Sequence, residues 1–367
     1  MVLKPVIEQA RNGIKVSYDL YMALESSSQL KKNKESRKIF FNNGSAVAEN
    51  TILKREDLAQ TLEKIAAEGK KGFYEGETAQ KIVAAMHNNG GFISLEDLES
   101  YSPIFSEPIR TDYRLHPIFA PRPPSGGAIV VLDALNILEN FDLGRYKPNS
   151  AHTYHLLAEA LRRGHMDRSR HIGDPSFYDV PVESIISKKR ARELKKTINF
   201  KSASSYKSMS PDDFLEESKD TTHYSIIDED GNAVSNTFTL GYSFGSGVTI
   251  PGTGILMNNH MNNFAYRYGD KSIRGRAASP ANKFDSGKRP MSTMTPVMVF
   301  NREGDLKLIT GSPGGAKIPA AVLRVITGVI DFNLGIGEAT MLPRIHKDWP
   351  YEDLDYESTA SSDVILT

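Results

Sequence analysis

The sequence contains no cysteine, so any reactive chemistry must come from oxygen and nitrogen groups; disulfides, thiolate metal sites and a cysteine nucleophile are excluded. His152 and His155, three apart at an expected helix start, are spaced to place two imidazoles on one metal. A metal needs a full ligand set and nothing nearby supplies a third, so a pair of surface histidines is the plainer reading. Asp228 and Asp230 beside Gly231 offer oxygens for calcium, but the run does not continue to a distal glutamate, and a turn accounts for it. Gly245-Ser246-Gly247 and Gly311-Ser312-Pro313-Gly314-Gly315 follow strand-like runs, where glycines either present main-chain N–H groups to an anion or simply turn the chain. Neither matches a dinucleotide or phosphate-loop fingerprint. At Gly314-Gly315 two adjacent glycines would let backbone donors approach an oxyanion without side-chain obstruction. Serines are plentiful, yet no G-x-S-x-G elbow supports a serine triad.

These groups need elements to hold them. Leu58, Leu62 and Ile65 recur at helical spacing and stop at Gly69, as do Ile82, Val83 and Met86 before Gly90-Gly91. Beyond the Pro123-Pro124-Ser125-Gly126-Gly127 turn, the Ile129 to Leu132 run with Leu135 and Leu138 predicts a helix. Leu156, Leu157 and Leu161 predict another, and these helices are expected to cover one face of a sheet. From Lys188 to Asp220 Lys, Ser, Asp and Glu dominate and Ser210-Pro211 breaks any pattern, which reads as a solvated linker open to cutting or as an ordinary surface loop. After Thr221 the texture becomes β: Thr222, Tyr224 and Ile226 alternate with His223, Ser225 and Ile227, a turn sits at Asp228 to Asn232, and Val234 to Leu240 is rich in strand formers. A second hairpin is expected from Pro296 to Phe300 and Leu306 to Thr310, then an apolar helix from Ile318 to Ile330. There is no internal repeat.

The 367 residues are 39% hydrophobic and 25% charged, the composition of a soluble globular protein with ample core. Length allows two or three domains or one large α/β sandwich. Lys+Arg and Asp+Glu both number 45, leaving no net field to steer a nucleic acid or an anionic membrane, so a small molecule is the expected ligand. Met1 to Ala10 lacks the apolar core and cleavage site of a secretory signal, and no apolar run approaches the ~20 residues of a membrane span.

Thr221-Thr222-His223-Tyr224-Ser225 followed by Asp230-Gly231-Asn232-Ala233-Val234 resembles the start of the small subunit of γ-glutamyltranspeptidases. Further matches come in the same order: Phe244-Gly245-Ser246-Gly247, Gly252-Thr253-Gly254-Ile255-Leu256, Asn258-Asn259, Lys288-Arg289-Pro290 and Gly311-Ser312-Pro313-Gly314-Gly315. Upstream, Pro123-Pro124-Ser125-Gly126-Gly127, Asp167-Arg168-Ser169 and Gly173-Asp174-Pro175 are similar to the family's large-subunit pattern, so the resemblance covers nearly the whole chain.

The resemblance implies an α+β N-terminal-nucleophile hydrolase fold, a four-layer αββα sandwich, here expected to be incomplete at both termini. It implies one precursor that cuts itself between Asp220 and Thr221, giving a large-subunit-like region 1–220 that ends in the polar linker and a small-subunit-like region 221–367. Thr221 would be the nucleophile. A threonine hydroxyl is weak, and the cut frees an adjacent α-amine with a pKa near neutrality to act as its base. By the same resemblance Thr239 orients the nucleophile, Ser292-Thr293 hold the substrate α-carboxylate in place of the family's serine pair, and the backbone of Gly314 and Gly315 forms the oxyanion site.

Three glutamate-recognition positions depart from the family: its asparagine is Gly241, its glutamine or glutamate is His260, and its ammonium-binding aspartate is Asn263. The family's upstream carboxylate-clamping arginine has no match. The implied activity is γ-glutamyl transfer or hydrolysis on glutathione and similar compounds, with water, an amino acid or a peptide as acceptor, without metal or cofactor. Family members are typically periplasmic, secreted or membrane-anchored. Two alternatives stand beside this reading: an impaired or unprocessed fragment that works only with a partner segment, and an acylase of the same fold with another acyl group.

Overall fold

The computed structural model describes residues 2–204, 221–265 and 279–361. The chain forms two compact units, each assembled from separate stretches: Met1–Phe105 with Leu240–Asn259, and Ser106–Thr239 with His260–Thr367.

The first unit is built from short helices, including Lys4–Asn12, Tyr18–Ser26, Lys34–Phe40, Glu56–Glu68 and Gly76–Asn88. Two tiny antiparallel ladders, Ile14–Lys15 with Ile52–Leu53 and Phe41–Asn42 with Ser45–Ala46, join them. The helix expected from Leu58, Leu62 and Ile65 is Glu56–Glu68, with Glu56 and Asp57 in its first turn, where acids suit the helix dipole, and Gly69 as its C-cap. The returning segment, 240–259, is irregular, so its carbonyls need partners from elsewhere. Buried Ser36 donates to Gly247 O at 2.7 Å, Thr61 donates to Thr253 O at 2.8 Å and Arg55 donates to Gly254 O at 2.5 Å. The glycines of Gly245-Ser246-Gly247 and Gly252 to Gly254 thus serve close packing within this unit.

The second unit holds a four-stranded antiparallel sheet in the order Leu306–Thr310, Val297–Phe300, His116–Ala120 and Ile109–Tyr113. Its longest described helices are those anticipated from apolar spacing: Gly126–Leu138, Ala151–His171 and Ile318–Ile330. All residues of Gly126–Leu138 are buried, as expected of a helix apolar on every side. Ile118, Val299, Ile129, Leu132, Leu157 and Leu323 belong to one core cluster that joins the sheet to these helices.

One expectation is corrected. The stretch from Lys188 is not all linker, because Lys188–Lys196 is a helix capped by Ser187, whose hydroxyl accepts from Arg190 N. Its polar composition conceals a tertiary role. Ala191 is buried, and Arg190 reaches the inaccessible Asp167 with paired contacts of 2.7 and 2.8 Å and lies 3.6 Å from Asp133. Buried carboxylates need such a partner, and composition alone cannot reveal one supplied from another helix. The remainder of that stretch, 205–220, including Asp220 of the expected cleavage bond, lies outside the described residues. Among the described residues no helix is long and apolar enough to cross a membrane.

Candidate active site

Thr222–Ile227 and Ala233–Phe238 pair antiparallel as anticipated, with Thr222 opposite Phe238, His223 opposite Thr237 and Ser225 opposite Ser235. Carried one residue further, this register sets Thr221 opposite Thr239 at the open end of the hairpin. Both threonines are half-buried. At the other end Asp228 Oδ1 accepts from Asp230 N and Asn232 N at 3.0 and 2.8 Å, and Oδ2 accepts from Asn232 Nδ2 at 2.9 Å. The Asn232 bonds hold the Asp228 carboxyl below its usual range. This acidic run therefore closes its own turn.

Alternate residues of a strand share a face, so Thr221, His223 and Ser225 stand on one side of the hairpin with Thr239, Thr237 and Ser235 across from them. Ser235 donates to Thr310 O at 3.2 Å, which fastens the hairpin to the Leu306–Thr310 strand. The Gly311-to-Gly315 loop leaves that strand immediately afterwards. Gly314 and Gly315 have φ of +123° and +56°, conformations that a side chain would oppose. They lead through a 3-10 turn, Gly315–Lys317, into Ile318–Ile330. Beside the loop lies a cleft of about 300 Å³ whose lining includes Ser312, Gly314, Lys317, Arg344, Asp355 and Glu357. Its charges are paired, Lys317 with Asp355 at 2.9 Å and Arg344 with Glu357 at 2.6 Å.

Ser292-Thr293 are held by the turn read from Pro123 to Gly127. Ser292 N donates to Pro124 O at 2.9 Å, Gly126 N donates to Ser292 O at 2.7 Å, and Ser125 Oγ donates to Met294 O at 2.7 Å. A Cβ built on Gly127 would fall 2.2 Å from Thr293 O and from Thr295 Oγ1, so only glycine permits this approach. Thr293 is buried, whereas Ser292 is half-exposed. Two side chains fix the approach to this segment. Buried Asp174 accepts from Arg289 N at 2.8 Å, and fully buried Asn282 accepts from Met291 N at 2.9 Å.

The altered recognition positions are divided between the two units. His260 and Asn263 bracket one 3-10 turn, His260–Asn263. His260 hydrogen-bonds the Thr239 main chain, and burial lowers its pKa despite that bond. Asn263 O accepts from Asn282 Nδ2 at 2.6 Å, so one asparagine ties this turn to the segment carrying Ser292-Thr293. Gly241 belongs to the first unit, at φ +95° with a built Cβ 3.1 Å from Asn259 Cβ, a site that disfavours any side chain. Asn282 was missed by sequence reasoning. Its partners lie 19 and 9 residues away, and nothing local marks a bridging amide.

The histidine pair is engaged otherwise: His155 Nε2 is 2.8 Å from Asn199 O, and His152 stacks on Tyr146 with ring centroids 4.9 Å apart. Among the described residues no group of three or more His, Asp or Glu side chains is placed to hold a metal.

Known proteins are similar to this chain in both sequence and fold. The family model described as gamma-glutamyltranspeptidase matches residues 1–367. A glutathione hydrolase proenzyme of Escherichia coli (strain K12) is 37% identical over 99% of this chain and 63% of its own length. The Acylase ACY 1 proenzyme of Pseudomonas sp. (strain SE83) is 35% identical over 94% of this chain and 59% of its own length. The crystal structure of a cephalosporin acylase from Bacillus halodurans superposes with a TM-score of 0.84 at 28% identity, covering 99% of this chain and 64% of that one. The chain thus spans less than two thirds of each of these relatives. With a full-length family match and a shared mixed helix-and-sheet fold, the chain belongs to the γ-glutamyltranspeptidase family of N-terminal-nucleophile hydrolases.

Proposed function

We propose that this chain carries the acyl-transfer centre of a γ-glutamyl hydrolase or transferase acting on glutathione and other γ-glutamyl compounds. Self-cleavage between Asp220 and Thr221 separates a large-subunit region, 1–220, from a small-subunit region, 221–367. In the cut, Thr221 Oγ1 attacks the Asp220 carbonyl, the peptide nitrogen leaves as the new α-amine, and water hydrolyses the resulting ester. The freed amine then takes the Thr221 hydroxyl proton while Oγ1 attacks the γ-carbonyl of the donor. Main-chain N–H groups at Gly314-Gly315 stabilise the oxyanion, and the leaving amine departs with a proton. Water, an amino acid or a peptide then resolves the γ-glutamyl-Thr221 ester. The observation that carries this reading is the hairpin register, which supports Thr239 as the group that orients Thr221 across the open end.

Mass spectrometry of the purified chain tests it. Fragments beginning at Met1 and at Thr221, absent in Thr221→Ala, are expected, together with release of p-nitroaniline from γ-glutamyl-p-nitroanilide. An intact chain that Thr221→Ala leaves unchanged ends the proposal.

A second reading, an acylase with a different acyl group, is favoured by Asn263, which offers no carboxylate to a substrate ammonium, and by the acylase names among the relatives. Turnover confined to γ-glutamyl donors in a panel of acyl amides would end it.

A further inference from the structure

His223 has three simultaneous contacts, all within the second unit. Its Nδ1 lies 2.8 Å from Thr237 Oγ1 on the facing strand, and its Nε2 lies 3.0 Å from Ser225 Oγ on its own strand. The ring also packs against Gly311: a Cβ built there would fall 2.2 Å from ring Cε1 and Nδ1. Unlike Gly314 and Gly315, Gly311 is not in the left-handed region, so what requires glycine at this position is the imidazole and not the backbone. Burial lowers the His223 pKa, which favours the neutral ring. A neutral imidazole donates from one nitrogen and accepts at the other, and the hydroxyls of Thr237 and Ser225, which can each donate or accept, satisfy either tautomer.

The placement gives the contact its meaning. Thr221 shares the face of His223 two residues upstream, and Gly314 follows Gly311 by three. The ring is therefore the spacer between the strand that follows Thr221 and the first residue of the glycine loop. We infer that His223 is a positioning residue that sets the separation of the Thr221 hydroxyl from the backbone donors of Gly314-Gly315. It touches neither donor nor acceptor substrate in this role. The inference rests on the proposed reading that Thr221 and this loop form the reacting centre.

A misplacement of about 1 Å can lower turnover on the order of 100-fold. His223→Ala should therefore lower kcat for γ-glutamyl-p-nitroanilide by roughly that factor with KM nearly unchanged, and His223→Gln, which keeps a donor and an acceptor, should recover about tenfold of it. Gly311→Ala should lower kcat similarly in the wild type but add little in the His223→Ala background, because the clash needs the ring. Wild-type kcat in His223→Ala, or equal effects of Gly311→Ala in both backgrounds, overturns the inference. Should His223→Ala fail to fold, Gly311→Ala alone decides: unaltered turnover overturns the inference. Mass spectrometry on the same samples separates the two claims. A wild type with no chain beginning at Thr221 overturns the proposed function and this inference with it, whereas a processed wild type beside an equally active His223→Ala overturns the inference alone.

Discussion

Asn282 donates its side-chain amide to the carbonyl of Asn263 at 2.6 Å, and the same side chain accepts from Met291 N at 2.9 Å. A turn with two altered recognition positions and the segment leading to Ser292-Thr293 thus share one fully buried group. Leaving a buried donor or acceptor unsatisfied costs about 1–3 kcal/mol each. Asn282→Ala should therefore destabilise the protein by roughly 2–6 kcal/mol in urea unfolding. A loss under about 0.5 kcal/mol, the ordinary scatter of surface substitutions, would refute the bridging role.

Asn263→Asp tests the chemistry at that turn. A hydrogen bond to a charged group contributes about 1.5–3 kcal/mol, so a carboxylate facing a substrate ammonium should lower KM for γ-glutamyl-p-nitroanilide roughly ten- to hundredfold. If KM does not fall, the ammonium of a glutamyl donor is not bound at this position.

Gly127 and Gly337 make a matched pair. At Gly127 a Cβ would meet Thr293 O and Thr295 Oγ1 at 2.2 Å, while at Gly337, in the Ile336–Met341 helix, it would meet nothing within 4 Å. Overpacking against backbone costs about 3 kcal/mol or more when nothing can yield, whereas alanine in an open helical position gains up to about 1 kcal/mol. Thermal unfolding should accordingly show a large drop for Gly127→Ala and none for Gly337→Ala. Equal melting temperatures would contradict the close approach.

Asp133 supplies a pH dependence. Burial, and secondarily the neighbouring Asp167, push its carboxyl well above the ordinary range, while Arg190 opposes the shift. The folded state then holds a proton that the unfolded chain releases, so this contribution to stability is full below the unfolded carboxylate pKa and declines as pH rises through the folded value. Asp133→Asn keeps the shape without the titration and should flatten the fall in melting temperature above about pH 5. Identical slopes in wild type and variant would exclude Asp133 as the cause.

Local pattern made much of this legible. The hairpin after Thr221, the hairpin of Val297–Phe300 with Leu306–Thr310, and the helix Ile318–Ile330 follow from side-chain periodicity and turn residues, which act over a few positions. The motif blocks around Thr221, Lys288-Arg289-Pro290 and Gly311 to Gly315 carry the family resemblance in the sequence alone.

The sequence by itself determined which residues stand beside one another in a strand or helix, and hence that Thr221, His223 and Ser225 share a face. Tertiary structure alone decided what meets that face. Gly311 against the His223 ring, Asp174 on the Arg289 amide, Asn282 between two segments and Arg190 against Asp167 are all contacts between separate segments of the chain. The polar composition of Lys188–Lys196 likewise reads locally as linker, while the contacts of Arg190 belong to a helix. Such contacts leave no period in the sequence, because the need they answer, a close approach or a buried polar group to be satisfied, exists only once the chain has folded.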